Sequence, residues 1–312
     1  MANRSRVLVT GGAGFIGRRV VSALAAEGHE VTIADLRAFP GTAGLAGTEV
    51  RSVIGDLSNP ETISRAVQPD TDVIIHLAAV TSVLKSVADP VSTYRLNVDA
   101  TARLLEAARE NEVGTFLLAS TNAVVGDVGQ ATMTEDATLR PLTPYGATKA
   151  AAEMILRSYT SCYGIKGAAL RFSNVYGPGM AEKDSFIPRL MRAAREGEGV
   201  QVRGDGSMIR DVVHVDDVVQ GLFIAWQAGH TGPLILGSGQ SVTVTEMVQT
   251  ARQVTGQPIP VEHVPVSGGE MPAVVLDISA IKALGYAPRY DLAAGMATVW
   301  PDFDPAATGT SA

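Results

Sequence analysis

RVLVTGGAGFIG, residues 6–17, is a short apolar run that breaks into glycine and then resumes. Arg6 to Thr10 predicts a buried strand, because Val, Leu and Thr side by side suit a pleated, covered surface. Gly11-Gly12-Ala13-Gly14-Phe15-Ile16-Gly17 then spells G-x-x-G-x-x-G. The residues after it predict a helix to about Glu27. Glycines let the backbone turn sharply and approach a pyrophosphate. The helix N-terminus adds N–H groups and a positive dipole end. An ordinary tight strand-to-helix turn is the alternative, so the neighbouring sequence has to decide.

The neighbouring sequence repeats the pattern. HEVTIAD predicts a second strand ending at Asp35. A carboxylate at that tip suits adenosine ribose hydroxyls and repels a 2′-phosphate, which favours NAD over NADP. Arg37 softens that preference, and capping of the next turn is the other use for Asp35. Phe39 to Gly47 predicts a loop or short irregular helix. Val50 to Ile54 is a third strand, followed by Gly55-Asp56-Leu57. Asn59 is a candidate N-cap for a helix from Pro60 to Val67. Asp72 to Leu77 is a fourth strand, and the small Ala78-Ala79 after it leave room for a cofactor. His76 has no metal-type partner spaced near it and reads as structural. Asp89 to Asn111 carries a helical pattern with Pro90 near its start. Thr115 to Ser120 is a fifth strand, and Ser120-Thr121 at its tip place hydroxyls where a substrate oxygen can be held or a turn capped. This succession of βα units predicts an α/β fold with a doubly wound parallel sheet, Rossmann-like, with ligands outside the strands' carboxyl ends.

The most distinctive helix is TPYGATKAAAEMILRSYTSCY, residues 143–163, with Thr143-Pro144 as an N-cap and N1 pair. Tyr145 and Lys149 share one face at i,i+4. The ammonium is expected to draw the phenol down from its ordinary value of about 10. A tyrosine tuned that way takes a proton from an alcohol or returns one to a carbonyl. A solvated helix face also produces such a pair.

Hydrophobic residues make up 46% of the 312 and aromatics only 5%. That aliphatic balance suits buried parallel strands. The formal net charge is −7 with Lys and Arg scattered, which argues against a nucleic-acid stripe or a membrane patch. A single cysteine, Cys162, excludes an intrachain disulfide framework and a Cys-rich metal site. No metal site is expected. The chain enters a strand almost at once and has no apolar run of spanning length, so a soluble cytoplasmic protein is expected.

With these stretches in view, the chain resembles the extended short-chain dehydrogenase/reductase family, in its UDP-glucose 4-epimerase-like branch of nucleotide-sugar enzymes. The resemblance rests on TGGAGFIG at 10–17, Asp35, GDL at 55–57, HLAA at 76–79, Asn97-Val98, AST at 119–121 and YGATK at 145–149. It continues through RFSNVYGPG at 171–179, GDGSMIRDVVHVDDVV at 204–219 and LDISAIKALGY at 276–286. It implies Thr121, Tyr145 and Lys149 as catalytic residues, with Lys149 on the nicotinamide ribose. It implies an NAD site formed by Gly11, Gly14, Phe15, Ile16, Gly17, Asp35, Asp56, Leu57, Leu77, Ala78, Ala79 and Asn97, together with Tyr145 and Lys149. Thr121, Asn174 and Arg210 would meet a UDP- or dTDP-linked sugar. The implied chemistry is transient oxidation at sugar C4. An NAD-binding domain is implied over 1–172 with about 208–237, and a smaller substrate lobe over about 173–207 and 238–300. A homodimer is implied through helices at about 97–110 and 145–162.

Three departures qualify the resemblance. Related 4,6-dehydratases carry Asp-Glu after the threonine, where this chain has Asn122-Ala123. The usual V-Y-G reads Val124-Val125-Gly126. Ser267 stands where the epimerase pattern has a diphosphate-binding Arg, a strong contact to lose. The loss leaves open an NAD-dependent dehydrogenase or reductase of a smaller polyol or keto compound. Elsewhere, Glu182 to Glu196, Thr243 to Thr255 and Asp291 to Trp300 predict helices. Asp216-Asp217 read as acids in a helix's first turn, and 301–312 as a disordered tail.

Overall fold

The computed structural model describes residues 4–40, 50–266 and 271–304. The elements begin with β1 (Arg6–Thr10), α1 (Phe15–Ala26), β2 (Glu30–Asp35), β3 (Val50–Ile54), α2 (Pro60–Ala66) and β4 (Val73–His76). Next come α3 (Val83–Ala88), α4 (Pro90–Tyr94), a π-helical turn (Arg95–Asp99), α5 (Ala100–Glu110), β5 (Thr115–Thr121), β6 (Thr132–Met133) and α6 (Pro144–Tyr163). β7 (Lys166–Phe172), β8 (Asn174–Tyr176), α7 (Phe186–Glu196), β9 (Val200–Arg203), β10 (Ile209–His214), α8 (Val215–Gln227) and β11 (Gly232–Leu236) follow. The last are β12 (Ser241–Thr243), α9 (Val244–Thr255), β13 (Val261–Val264), β14 (Val275–Leu276), α10 (Ser279–Ala283) and α11 (Leu292–Val299).

The main sheet has seven strands in the order β11-β7-β5-β4-β1-β2-β3. The pairs from β3 to β5 are all parallel. Helices cover the sheet, so its central strands are largely apolar; Val7, Leu8, Val9, Ile74 and Ile75 are all buried. One side packs Leu8, Ile74, Phe116 and Leu118 against Leu104 and Leu105 of α5 and Leu156 of α6. The chain reverses its direction of winding between β1 and β4, and the crevice at that switch point is where such sheets take ligands.

The chain divides into two compact units. The first comprises residues 1–126, 135–171 and 219–234; the second comprises 127–134, 172–218 and 235–312. Within the second, β10 pairs with β8 in parallel and with β12 antiparallel. Two further parallel pairs, β9 with β13 and β6 with β14, complete its strands. α9 packs against α7 and α11. A capping box of Thr243 and Glu246 starts α9. Among the described residues no helix is long and apolar enough to cross a membrane.

Three expectations change in detail. The helix expected over 182–196 begins only at Phe186; Pro188 lies in its first turn, where a missing N–H costs nothing. The helix expected over 89–111 is interrupted by the π-helical turn. Of the tail, Pro301 to Asp304 are described and ordered by contact: Phe303 is buried and Gly179 N donates to the Asp302 carboxylate at 2.6 Å. One aromatic anchor does this without apolar periodicity. Residues 41–47 of the expected loop and 305–312 of the tail lie outside the described residues.

Gly11 makes the switch point possible. Its φ is +69°, and a Cβ there would stand 2.7 Å from the Ala78 nitrogen. Gly28 also has positive φ, +84°, but faces open space. Gly11→Ala is therefore expected to cost more than Gly28→Ala, which carries only the strain of a left-handed residue, about 1 kcal/mol. Urea denaturation of the two variants checks this.

Candidate active site

The crevice is built from the ends of β1, β2 and β4. Gly11 N donates to Ala34 O at 2.8 Å and Leu77 N to Thr10 O at 3.1 Å. Asp35 reaches across from β2, accepting from Ala13 N at 3.0 Å and Arg37 N at 3.1 Å. Its carboxylate thus pins the glycine loop and keeps further acceptor capacity. α1 begins at Gly14 with no side-chain cap, so its first-turn N–H groups have no capping side chain. A Cβ on Gly17 would run into the Gly11 carbonyl. A glycine-lined backbone turn, a helix N-terminus and a carboxylate at the tip of β2 are donor and acceptor groups of the kind a dinucleotide takes. Asp56 is exposed, with Oδ1 accepting from Ser58 N at 2.8 Å. Leu57 is in the core, so only its backbone is available to a ligand.

His76 closes the floor. Its Nδ1 lies 2.7 Å from Thr10 Oγ1 and its Nε2 lies 2.9 Å from Thr101 Oγ1. Thr101 spends its hydrogen on the Asn97 carbonyl at 2.8 Å, so Nε2 must be the donor and Nδ1 the acceptor. The ring is neutral: burial, then the Lys149 charge, push its pKa down to about 3.

Asn97, expected at the cofactor, is engaged with the chain around it. It is fully buried in the π-helical turn. Its Oδ1 accepts from Val80 N at 2.9 Å, and its Nδ2 donates to Val80 O and Thr148 Oγ1, both at 3.1 Å. The amide commits both of its hydrogens to the protein and keeps one acceptor position on Oδ1. It acts on the site by fixing Val80 and the first turn of α6, where Thr148 Oγ1 donates to Tyr145 O at 2.8 Å.

α6 starts as its sequence dictates: Thr143 Oγ1 accepts from Gly146 N at 3.2 Å, with Pro144 next. Ser86, fully buried, accepts from Tyr145 N at 3.1 Å. Burial pushes the Tyr145 phenol up to about 12, while the nearby Thr121 hydroxyl acts in the opposite direction. The expected depression by Lys149 makes no resolved contribution, and desolvation sets the direction. Lys149 is itself 2% exposed. Burial brings its ammonium down to about 8 against the attraction of Glu153.

Glu153, Arg171 and Ser86 were not singled out by sequence reasoning, and Ser120, expected to hold a substrate oxygen or cap a turn, instead joins them. Arg171 holds the Glu153 carboxylate with Nε at 3.1 and 3.2 Å and Nη2 at 2.9 Å. Arg171 Nη1 donates to Glu135 O at 2.8 Å. The Ser120 hydroxyl donates to the same carboxylate. One signal was available: Glu153 lies four residues past Lys149, and Arg171 is a cation following the apolar run GAAL in the strand KGAALRF.

In the second unit, Asn174 is exposed and Nδ2 donates to Asp211 O at 3.2 Å. Arg210 turns its Nη1 onto Ile209 O at 2.7 Å. The neighbouring Asp211 is fully buried and accepts from Ser238 N, Ser238 Oγ and Gly239 N. Asp216 and Asp217 sit in the first turn of α8, where Asp217 accepts from Arg289 N at 3.0 Å and Tyr290 N at 3.2 Å. Ser267 lies outside the described residues.

The model of the NAD dependent epimerase/dehydratase family matches residues 7–236. The chain belongs to that family. Among the family's curated members, it is 32% identical to a UDP-glucose 4-epimerase of Halalkalibacterium halodurans, over 91% of each chain. It is 33% identical to a dTDP-glucose 4,6-dehydratase of Streptomyces griseus, over 94% of this chain and 92% of that one. Among solved structures it resembles MoeE5 in complex with UDP-glucuronic acid and NAD, with a TM-score of 0.87 and 35% identity over 95% of this chain and 98% of that one.

Lys149 gives a stability test. Its proton is held less tightly folded, at about 8, than at its ordinary 10.5. The resulting destabilisation is full below pH 8 and is relieved as pH rises toward 10.5. Lys149→Met is expected to stabilise the fold at pH 7 by on the order of 2–3 kcal/mol, an advantage that fades between pH 8 and 10.5. Melting temperatures across that range check it.

Proposed function

We propose that this protein is an NAD-dependent epimerase acting at C4 of a nucleotide sugar, of the UDP-glucose 4-epimerase kind. The observation that carries the reading is the Tyr145 phenol beside the Thr121 hydroxyl, which favours its phenolate, on a helix whose next turn buries Lys149. The first unit takes the cofactor and the second contributes the substrate lobe. The glycine loop and the start of α1 hold the pyrophosphate, Asp35 accepts from the adenosine ribose, and the backbone at 77–79 lies along the cofactor's middle. NAD, when bound, supplies a hydride acceptor and donor at the sugar carbon.

The chain's own residues handle the proton. Tyr145 Oη takes it from the C4 hydroxyl and gives it back. Thr121 Oγ1 holds the same sugar oxygen and steadies the charge that develops there. Lys149 binds the nicotinamide ribose and supplies the positive charge that favours the phenolate. Asn174 and Arg210 meet the sugar-diphosphate portion of the substrate.

The chain is similar to both epimerases and 4,6-dehydratases. Loss of water from a sugar needs a further acid and base beside the threonine. Positions 122 and 123 are Asn and Ala and carry neither. Near full-length likeness to enzymes named for UDP- and dTDP-sugars favours that substrate class over a small polyol or keto compound.

The active form is a homodimer through the outer faces of α4 to α6. Val91 (59% exposed), Tyr94 (49%), Met154 (60%) and Tyr163 (55%) bare apolar surface on these helices, which a second copy would cover.

Two measurements test these readings. UDP-glucose is incubated with the protein and no added cofactor, and UDP-galactose is followed by NMR. Wild type is expected to interconvert them. Tyr145→Phe is expected to lose at least about 1000-fold in kcat while keeping its NAD; unchanged turnover in that variant sinks the assignment. In light scattering, wild type is expected at twice the chain mass and Met154→Glu at or near the single-chain mass.

A further inference from the structure

We propose that Glu153 is a positioning residue for the reaction: its carboxylate locks the strand tip carrying Thr121 to the helix carrying Tyr145 and Lys149. The proposal rests on the reading of those three residues given above, and it concerns a buried group that this reading does not use.

The geometry is specific. Tyr145, Lys149 and Glu153 are spaced i, i+4, i+8 along α6 and so form one stripe. Glu153 ends the stripe at 7% exposure, and the Arg171 side chain that grips it is 4% exposed. Three elements meet at this carboxylate: β5 through the Ser120 hydroxyl, α6 through Glu153 itself and β7 through Arg171. Ser120 and Thr121 are consecutive in a strand, so their side chains leave opposite faces. Ser120 is tied to α6 through Glu153, while Thr121 Oγ1 accepts from Ala123 N at 3.2 Å and stands beside the phenol. A slip of β5 along α6 would move Thr121 relative to Tyr145, and a hydroxyl displaced by 1 Å forfeits much of its effect on a reacting oxygen.

A plain scaffold role would need only the Glu153–Arg171 pair. Two further features go beyond it. The serine hydroxyl next to Thr121 donates to the carboxylate rather than to a nearby carbonyl. The carboxylate also holds charge one helical turn behind Lys149, whose ammonium is otherwise desolvated. Isolated buried pairs are poor stabilisers compared with apolar residues, so stability alone gives little reason for this arrangement.

The test separates positioning from folding. Removing one charge would strand the other in the core and can unfold the chain. The variants are therefore Ser120→Ala, which leaves the ion pair whole, and the double variant Glu153→Gln/Arg171→Met, which removes both charges. kcat and KM for UDP-glucose and the content of bound NAD are measured for each beside Tyr145→Phe. Ser120→Ala is expected to lower kcat three- to tenfold and the double variant at least tenfold, with KM within twofold of wild type and NAD fully retained. Values of kcat within twofold of wild type overturn the proposal, as does a loss shared with KM and bound NAD, which marks loosening of the whole site. Should the double variant fail to fold, Ser120→Ala decides by the same criteria. If Tyr145→Phe stays active, the functional reading fails first; if it is dead while Ser120→Ala and the double variant match wild type, the role of Glu153 alone fails.

Discussion

An ammonium with almost no access to water has to be answered by the protein. Lys149 sits in the second turn of a twenty-residue helix whose buried residues are otherwise glycine, threonine, alanine, leucine and Glu153. Desolvation works against its charge. The opposing carboxylate on the next turn is itself committed to an arginine on β7 and a serine on β5. The charged stripe of α6 is thus bound into the sheet at two strands. Apolar packing by Leu156 and Ala152 holds the same helix against the core, but apolar contacts tolerate sliding and bidentate ion pairs do not. Register between helix and sheet follows from the polar contacts.

The crevice obeys a complementary logic. Its walls are backbone, and its few side chains are consumed in holding that backbone still. Thr10, His76, Thr101 and Asn97 form one chain of hydrogen bonds from β1 to the turn before α5. Each group has a fixed donor or acceptor role, and the imidazole is held neutral. A ligand would therefore meet a surface already ordered, at small entropic cost.

Much of this was legible in the sequence. Strand-glycine-helix spacing gave the first βα unit, and the Thr143-Pro144 pair located the start of α6 to the residue. Local rules sufficed because capping and glycine chemistry depend on near neighbours. Polar groups joined over long sequence distances were not legible. Ser120, Glu153 and Arg171 meet only when β5, α6 and β7 are assembled, and Ser86 reaches Tyr145 across fifty-nine positions. The pKa expectation went astray for the same reason: i,i+4 spacing reports proximity along a helix, and desolvation depends on everything packed around it. Asn97 lies in a π turn that apolar periodicity alone does not distinguish from the α-helices on either side.

That turn has an evolutionary consequence. A π turn carries one residue more than the α-helical path it replaces. Deleting a single residue between Arg95 and Asp99 would restore a regular helix and rotate the upstream side chains by about 100° relative to α5. The carboxamide that now braces Val80 and Thr148 would be redirected or lost with its hydrogen bonds. A segment that looks like a length-tolerant surface helix is therefore fixed in its residue count, and indels in this lineage should avoid it even where substitutions of its exposed side chains are freely accepted.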